Sequence, residues 1–211
     1  MKRLLLLGML GLPWLAVAEP SHLHLTILFQ AEARPADKPL EAEIRRTLGL
    51  RLGALGLSDA SISFPAADRV EIQSEGQVSP GRLAAILTRP GRLSLQEQNA
   101  AGKWSEFLDG AAIVAAEAVR EDWGHSVRFE VNEMGKQILS EVSRRNLRRP
   151  IRFVLDGEIV TEPTFQEPLL DGKGLISGQF GLEEAQDMAA CLASGPLPVG
   201  LQVRLNAPDR E

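Results

Sequence analysis

Three histidines and one cysteine are the chain's most obvious candidates for chemistry: His22, His24, His125 and Cys191. His22 and His24 lie two apart, so in a strand they share a face and could begin a metal site. Neither a third histidine nor a cysteine lies near enough to complete a ligand set, which favours solvated surface histidines. His125 follows a glycine in a turn and reads as a surface residue rather than a base. Cys191 has no partner for a disulfide and flanks the apolar face of a helical run, where a small semi-buried thiol is the ordinary outcome.

The remaining candidates are equally incomplete. Gly172-Lys173-Gly174 lacks the Gly-Lys-Ser/Thr ending of a phosphate loop and reads as a flexible turn. There is no Gly-x-Ser-x-Gly elbow to support a serine hydrolase. Glu183 and Glu184 open a helix, where its dipole favours carboxylates, and need no acid–base role. Arg144, Arg145, Arg148 and Arg149 gather at a helix end, where the dipole favours cations; an anion site is the alternative. Asp156 belongs to a turn. The sequence therefore offers no catalytic residues, no metal set and no cofactor loop, and an enzyme is not expected.

The elements that must position these residues follow from periodicity and punctuation. Leu23–Phe29 alternates as a strand. A helix follows Pro39, with Leu40, Ile44, Leu48, Leu52 and Leu55 on one face and Gly56 as its stop. Gly49 and Gly53 inside it suggest close packing on a sheet. Ile62/Phe64 and Val70/Ile72 make two strands around Pro65–Asp68. Ser79-Pro80 caps a short helix that buries Leu83, Ile86 and Leu87. Leu93 and Leu95 begin another strand.

Asn99-Ala100-Ala101-Gly102 reads as a boundary, and Ala111–Ala118 is ambiguous between helix and strand. Asp122-Trp123-Gly124 turns into the strand Val127–Val131. Asn132 caps a helix with a stripe of Met134, Ile138 and Val142, stopped by Pro150. Asp156-Gly157 between two strand-like runs is the strongest hairpin signal, since both residues tolerate positive φ. A strand at Leu175–Phe180, a helix at Leu182–Ser194 and alternation at Val199, Leu201, Val203 and Leu205 complete the chain.

Residues 1–18 read as a cleavable signal peptide: a basic start at Lys2 and Arg3, a 14-residue apolar run Leu4–Val17, and Ala16-Val17-Ala18 before Glu19. The run falls short of the ~20 residues that span a bilayer, although an uncleaved anchor is the alternative. No later segment approaches a span. The net charge of −5 argues against nucleic acid or an anionic membrane as partner. These features predict an exported, periplasmic chain.

Val127–Val203 carries a specific order of turns. It runs through Val127-Arg128-Phe129-Glu130-Val131-Asn132, Gly135 and Asn146, then Phe153-Val154-Leu155-Asp156-Gly157 and Pro163. It continues with Ile176-Ser177-Gly178, Phe180, Glu183-Glu184-Ala185, Leu192, Ser194-Gly195 and Leu197-Pro198. This order resembles the large first periplasmic domain of SecD, a subunit of the SecDF protein-export machinery. Ile44–Leu57 and Asp68–Gln73 resemble the same domain more loosely. Glu75-Gly76 stands where the family usually has Pro-Gly, and Gly181 where it more often has a capping Thr.

The resemblance implies an α+β fold, a split ferredoxin-like base with an inserted head. On the punctuation above, the base is expected at 19–98 and 175–206, the head at 99–174 and a tail at 207–211. The resemblance also implies a non-catalytic part in export, binding emerging or unfolded polypeptide, with translocated chains and Sec translocon components as partners. The family's proton-coupling residues lie in transmembrane helices, so none can be carried over here. The alternative is a periplasmic scaffold that uses the same domain for an unrelated folded partner. The head is expected to move on the base about Gly102 and Gly172–Gly174.

Overall fold

Strand pairing sorts the chain into two cores joined at a bonded seam. The computed structural model describes residues 21–30 and 37–204. In order, the elements begin with β1 (Ser21–Phe29), α1 (Lys38–Ala54), β2 (Ser61–Ala66), β3 (Arg69–Gly76) and α2 (Pro80–Thr88). Next come β4 (Leu93–Gln98), β5 (Trp104–Asp109), a 3-10 turn at Gly110–Ala112, β6 (Ile113–Glu121) and β7 (Gly124–Val131). The chain continues through α3 (Glu133–Arg145), β8 (Ile151–Leu155), β9 (Glu158–Thr161), β10 (Lys173–Phe180), α4 (Leu182–Ser194) and β11 (Leu201–Arg204). The expected signal segment and tail lie outside the described residues.

The first unit is a βαββαβ sandwich. Its antiparallel sheet has the order β11-β1-β3-β2, with Leu25 opposite Ile72 and Ile27 opposite Val70. One face of α1 (Leu40, Ile44, Leu48, Leu52) and one of α2 (Leu83, Leu87) share a core with Leu25, Ile27, Val70 and Ile72. Local chemistry fixes the helix ends. The Asp37 side chain accepts from Leu40 N, and Ser79 caps α2 ahead of Pro80, accepting from Arg82 N.

The second unit holds two sheets, β10-β7-β6 and β5-β4-β8-β9. They share a core of Leu95, Val127, Phe129, Leu139, Phe153 and Leu155 with Ala185, Met188 and Leu192 of α4. The Phe129 and Phe153 rings meet edge-on, 5.9 Å between centroids, and link the two sheets. Asp156 and Gly157 take φ of 56° and 87°, so the expected hairpin forms between β8 and β9.

Several expectations change. The strand β4, the strand β10 and the helix α4 were expected in the first lobe but belong to the second core, so the seam falls at residues 89–92 and 195–197. The reason is pairing: β4 lies between β5 and β8, where Leu93 and Leu95 are buried. Asn99–Gly102 is no boundary. It is a tight turn in which the Asn99 side chain accepts from Ala101 N and Lys103 N. Gly49 and Gly53 are exposed, and a Cβ at Gly49 would meet nothing, so they are not sites of close packing on a sheet. The buried face of α3 is Gly135, Leu139, Val142 and Ser143, while Met134 is 72% exposed.

Arg51 of α1 closes the seam. Its side chain is fully buried. It donates to the carbonyls of Ile86 (2.8 Å), Arg89 (2.5 Å) and Gly195 (3.3 Å), and to Ser194 Oγ (3.1 Å). The C-terminal ends of α2 and α4, both negative in their dipoles, thus converge on one guanidinium. Burial lowers its pKa; the nearby Asp156 carboxylate opposes that shift. Gly91 takes φ of 76°, and a Cβ there would lie 2.7 Å from Arg51 Nη2. The two connections bond to each other through Leu197 N to Pro90 O, 2.8 Å. Arg82 of α2 adds an ion pair to Asp187 of α4 at 2.6 Å.

Candidate functional site

Of the residues that first suggested chemistry, His24, His125 and Cys191 lie in separate elements, and the His22 side chain lies outside the described residues. His24 is exposed on β1 and lines a shallow cleft of about 510 Å³ with Asp59, Gln73 and Glu75. His125 pairs across the β6–β7 hairpin with Arg120. Cys191 is buried, and desolvation pushes its thiol pKa up, opposed by Arg51. Among the described residues no three His, Cys, Asp or Glu side chains group to hold a metal ion.

Other candidates have structural partners. Gly172-Lys173-Gly174 forms the entry to β10, with Gly172 O accepting from Val131 N. Glu183 pairs with Arg82 at 3.1 Å. Arg145 pairs with Glu97 and with Glu141. Its hydrogen bond holds the Glu97 carboxyl below the usual carboxylate range; burial opposes that shift and Asn146 reinforces it. Asp156 does more than turn the chain. Its carboxylate takes Arg89 Nε at 3.0 Å and Arg92 N at 2.8 Å, fastening the β8–β9 tip to the outgoing connection.

Among the described residues, a candidate contact surface lies in the second unit, between β5 and the start of α3. Here a groove of about 350 Å³ has a floor of Phe107, Leu108, Ala111, Ala112, Gly135 and Ile138. Met134 forms its lip, and Glu106, Asp109 and Asn132 line its polar margin. Capping chemistry builds it. Asn132 Oδ1 accepts from Gly135 N at 2.9 Å, and Asn132 N donates to Ala112 O at 2.8 Å. Asp109 Oδ1 accepts from Ala111 N at 3.0 Å. Gly135 is needed for the close approach, because a Cβ there would lie 2.9 Å from Val131 Cβ and 3.1 Å from Ala112 Cβ.

Such a groove can bind but holds no nucleophile or general base in its floor. Its floor is apolar, its lip a flexible and polarisable methionine, and its margin acidic. That chemistry suits apolar side chains of varied shape, flanked by neutral or basic residues. Met134 was expected in a buried stripe; its place in the first turn of α3, one residue past Glu133, turns it outward.

Residues 83–199 match the family model described as SecDF, P1 head subdomain. The chain belongs to the SecDF family. The matched span starts within α2 and ends after the return connection, so it contains the whole second core. The protein translocase subunit SecD of Dictyoglomus turgidum is 30% identical over 164 residues, covering 76% of this chain and 40% of that one. SecD of Leptotrichia buccalis is 25% identical over 180 residues, covering 84% and 44%. The chain thus spans less than half the length of these SecD relatives.

Two solved structures share the fold at 21% identity. The crystal structure of SecDF in its super-membrane-facing form has a TM-score of 0.72 and covers 87% of this chain, which matches 30% of that one. A second, described as the structure and function of a membrane component SecDF that enhances protein export, has a TM-score of 0.69 over 88% of this chain and 100% of that one. The parts of both that match share the α+β fold of this chain. Among the described residues no helix is long and apolar enough to cross a membrane.

Proposed function

We propose that this chain acts in protein export on the periplasmic side, as a SecD-type domain that holds emerging or unfolded polypeptide without coupling to protons. In this reading residues 89–196 are the head, and the βαββαβ unit is the base that carries it. The observation that carries the reading is the groove between β5 and α3 in a chain of the SecDF family. Its apolar floor, methionine lip and acidic margin match what unfolded segments present and folded surfaces hide. The work asked of the site is contact rather than bond chemistry, which is why the reading is non-catalytic.

Binding to one protein in two states tests this. A fluorescently labelled, reduced and carboxyamidomethylated lysozyme stays unfolded, while the native form presents a folded surface. The purified chain is expected to bind the unfolded form at least tenfold more tightly, and Met134→Asp to reduce that preference. Equal affinity for both forms, or no binding to either, contradicts the reading. Selective binding to a folded periplasmic protein would instead favour the scaffold role.

A further inference from the structure

The sheets of this molecule end in edge strands, and most of them are guarded. An exposed edge offers a row of unpaired N–H and C=O groups to any extended chain, so proteins blunt edges with prolines, lysines, bulges or brevity. The strand β2 carries Pro65 and a register shift between Ser63 and Ala66. The strand β9 is four residues long. The strand β10 opens on Lys173 and breaks register between Ser177 and Phe180. The strand β5 is bulged opposite Leu95/Gln96, and the Arg152 guanidinium stacks 4.0 Å over its Trp104 ring.

The edge at β6 is guarded only at its start. It runs nine residues, IVAAEAVRE, with neither proline nor lysine, and its one irregularity lies at its start, between Ile113 and Ala115. The helix α4 covers one face, and β7 pairs along one side. Among the described residues no backbone hydrogen bond reaches residues 114–121 from outside the sheet. The two-residue turn Asp122-Trp123 makes Glu121 and Gly124 a hydrogen-bonded closing pair. Alternation from that pair turns the N–H and C=O groups of Ala116, Ala118 and Arg120 to the open side. Small side chains at Ala115, Ala116 and Ala118 keep the approach clear, and Val114 is 56% exposed.

We propose that β6 takes an extended segment of an unfolded client polypeptide as an added strand. This deepens the polypeptide-contact reading above and rests on it. The backbone of an extended chain is what an unpaired strand edge recognises, whatever the client's sequence. Ala111 and Ala112 of the groove immediately precede β6 in the chain, so the groove and the edge belong to one stretch of the second unit. Charge selects the occupant. Glu106 and Asp109 line the groove; along the hairpin Glu117 is paired with Arg128 at 2.8 Å, and Glu121 and Asp122 outnumber Arg120, so neutral or basic segments are favoured. A second copy of this chain would bring a net charge of −5 and the same acidic margin against itself.

Hydrogen exchange of the whole chain, with and without reduced, carboxyamidomethylated lysozyme, tests the proposal. The amides of Ala116, Ala118 and Arg120 are expected to slow at least tenfold when the probe is bound. Val114→Lys, which guards the edge at an exposed position, is expected to weaken binding about tenfold. Ala118→Pro removes an outward N–H, a place where an edge strand tolerates proline, and is expected to do the same. Protection confined to residues 106–112 and 134–138, with Val114→Lys neutral, overturns strand addition while leaving groove binding intact. Protection nowhere overturns both. Concentration-dependent protection of β6 without probe, matched by a dimer in sedimentation that Val114→Lys dissolves, overturns the client in favour of a second copy.

Discussion

The seam and the β5–β6 surface are both polar-and-apolar mixtures, yet they are built in opposite ways. At the seam, a buried guanidinium meets three carbonyls and a hydroxyl, the crossing connections bond to each other, and Asp156 clamps one of them. At the groove and β6 edge, methionine and valine side chains face solvent and a row of backbone groups has no partner among the described residues. Satisfied buried networks specify one geometry. Unsatisfied exposed edges specify none and wait for a partner. In the proposed reading, the contrast is between a mount of one bonded geometry and an adaptable contact surface.

Removing the seam's central group should have the largest effect. Arg51→Ala strands the carbonyls of Ile86, Arg89 and Gly195 in a buried site, and a loss of about 1–3 kcal/mol for each group left unsatisfied is expected in urea unfolding. Arg51→Lys keeps the charge but has fewer donors in a different geometry, so it should recover only part of that loss. Faster amide exchange at residues 89–92 and 195–197, without change in β1–β3, would show that the seam loosens before the base. Equal loosening of both units would mean that Arg51 stabilises the whole chain rather than the mount.

A middle-sized effect is expected at the contact surface's own support. Asn132→Ala deletes the cap of α3 and the bond to Gly135 N, costing about 1 kcal/mol. Because the same residue shapes the groove, polypeptide affinity should fall with it, whereas the Arg51 variants should lower stability first. Thermal unfolding and anisotropy on one preparation separate the two.

The smallest effect is a pH dependence at Glu97. Its folded-state pKa is depressed by Arg145, with burial opposing and Asn146 assisting. Its contribution to stability is therefore complete above the unfolded carboxylate pKa and is lost as pH falls through the depressed folded value. Arg145 is about half exposed, so solvent screening keeps the contribution small. Unfolding midpoints of wild type and Glu97→Gln should converge as the pH is lowered through the acid range. A constant difference would assign the effect to shape rather than charge.

What could be seen in the sequence was local. Ser79-Pro80, Asn132 and Asp156-Gly157 announce their structure because a cap or a turn is decided within a few residues. The seam was hidden because it depends on which strands pair: Leu93–Gln98 alternates equally well beside either sheet, and only its place between β5 and β8 assigns it. Arg51 had a readable signal. It falls three residues after Leu48 and seven after Ile44, on the apolar face of α1, where an arginine demands a buried partner set. Met134 was misplaced because helical spacing alone does not say which side of a stripe meets the core. The β6 edge was an alanine-rich stretch of ambiguous type, and openness is a property of the finished sheet.

The most direct test places a photo-crosslinking amino acid at Met134, at Val114 and at Leu50, an exposed position on α1 of the base, 45% accessible, and follows crosslinks in cells exporting a secreted protein. The account predicts crosslinks to the exported chain from Met134 and Val114 and none from Leu50. Crosslinks from Leu50 alone, from all three equally, or only to folded periplasmic proteins would contradict it.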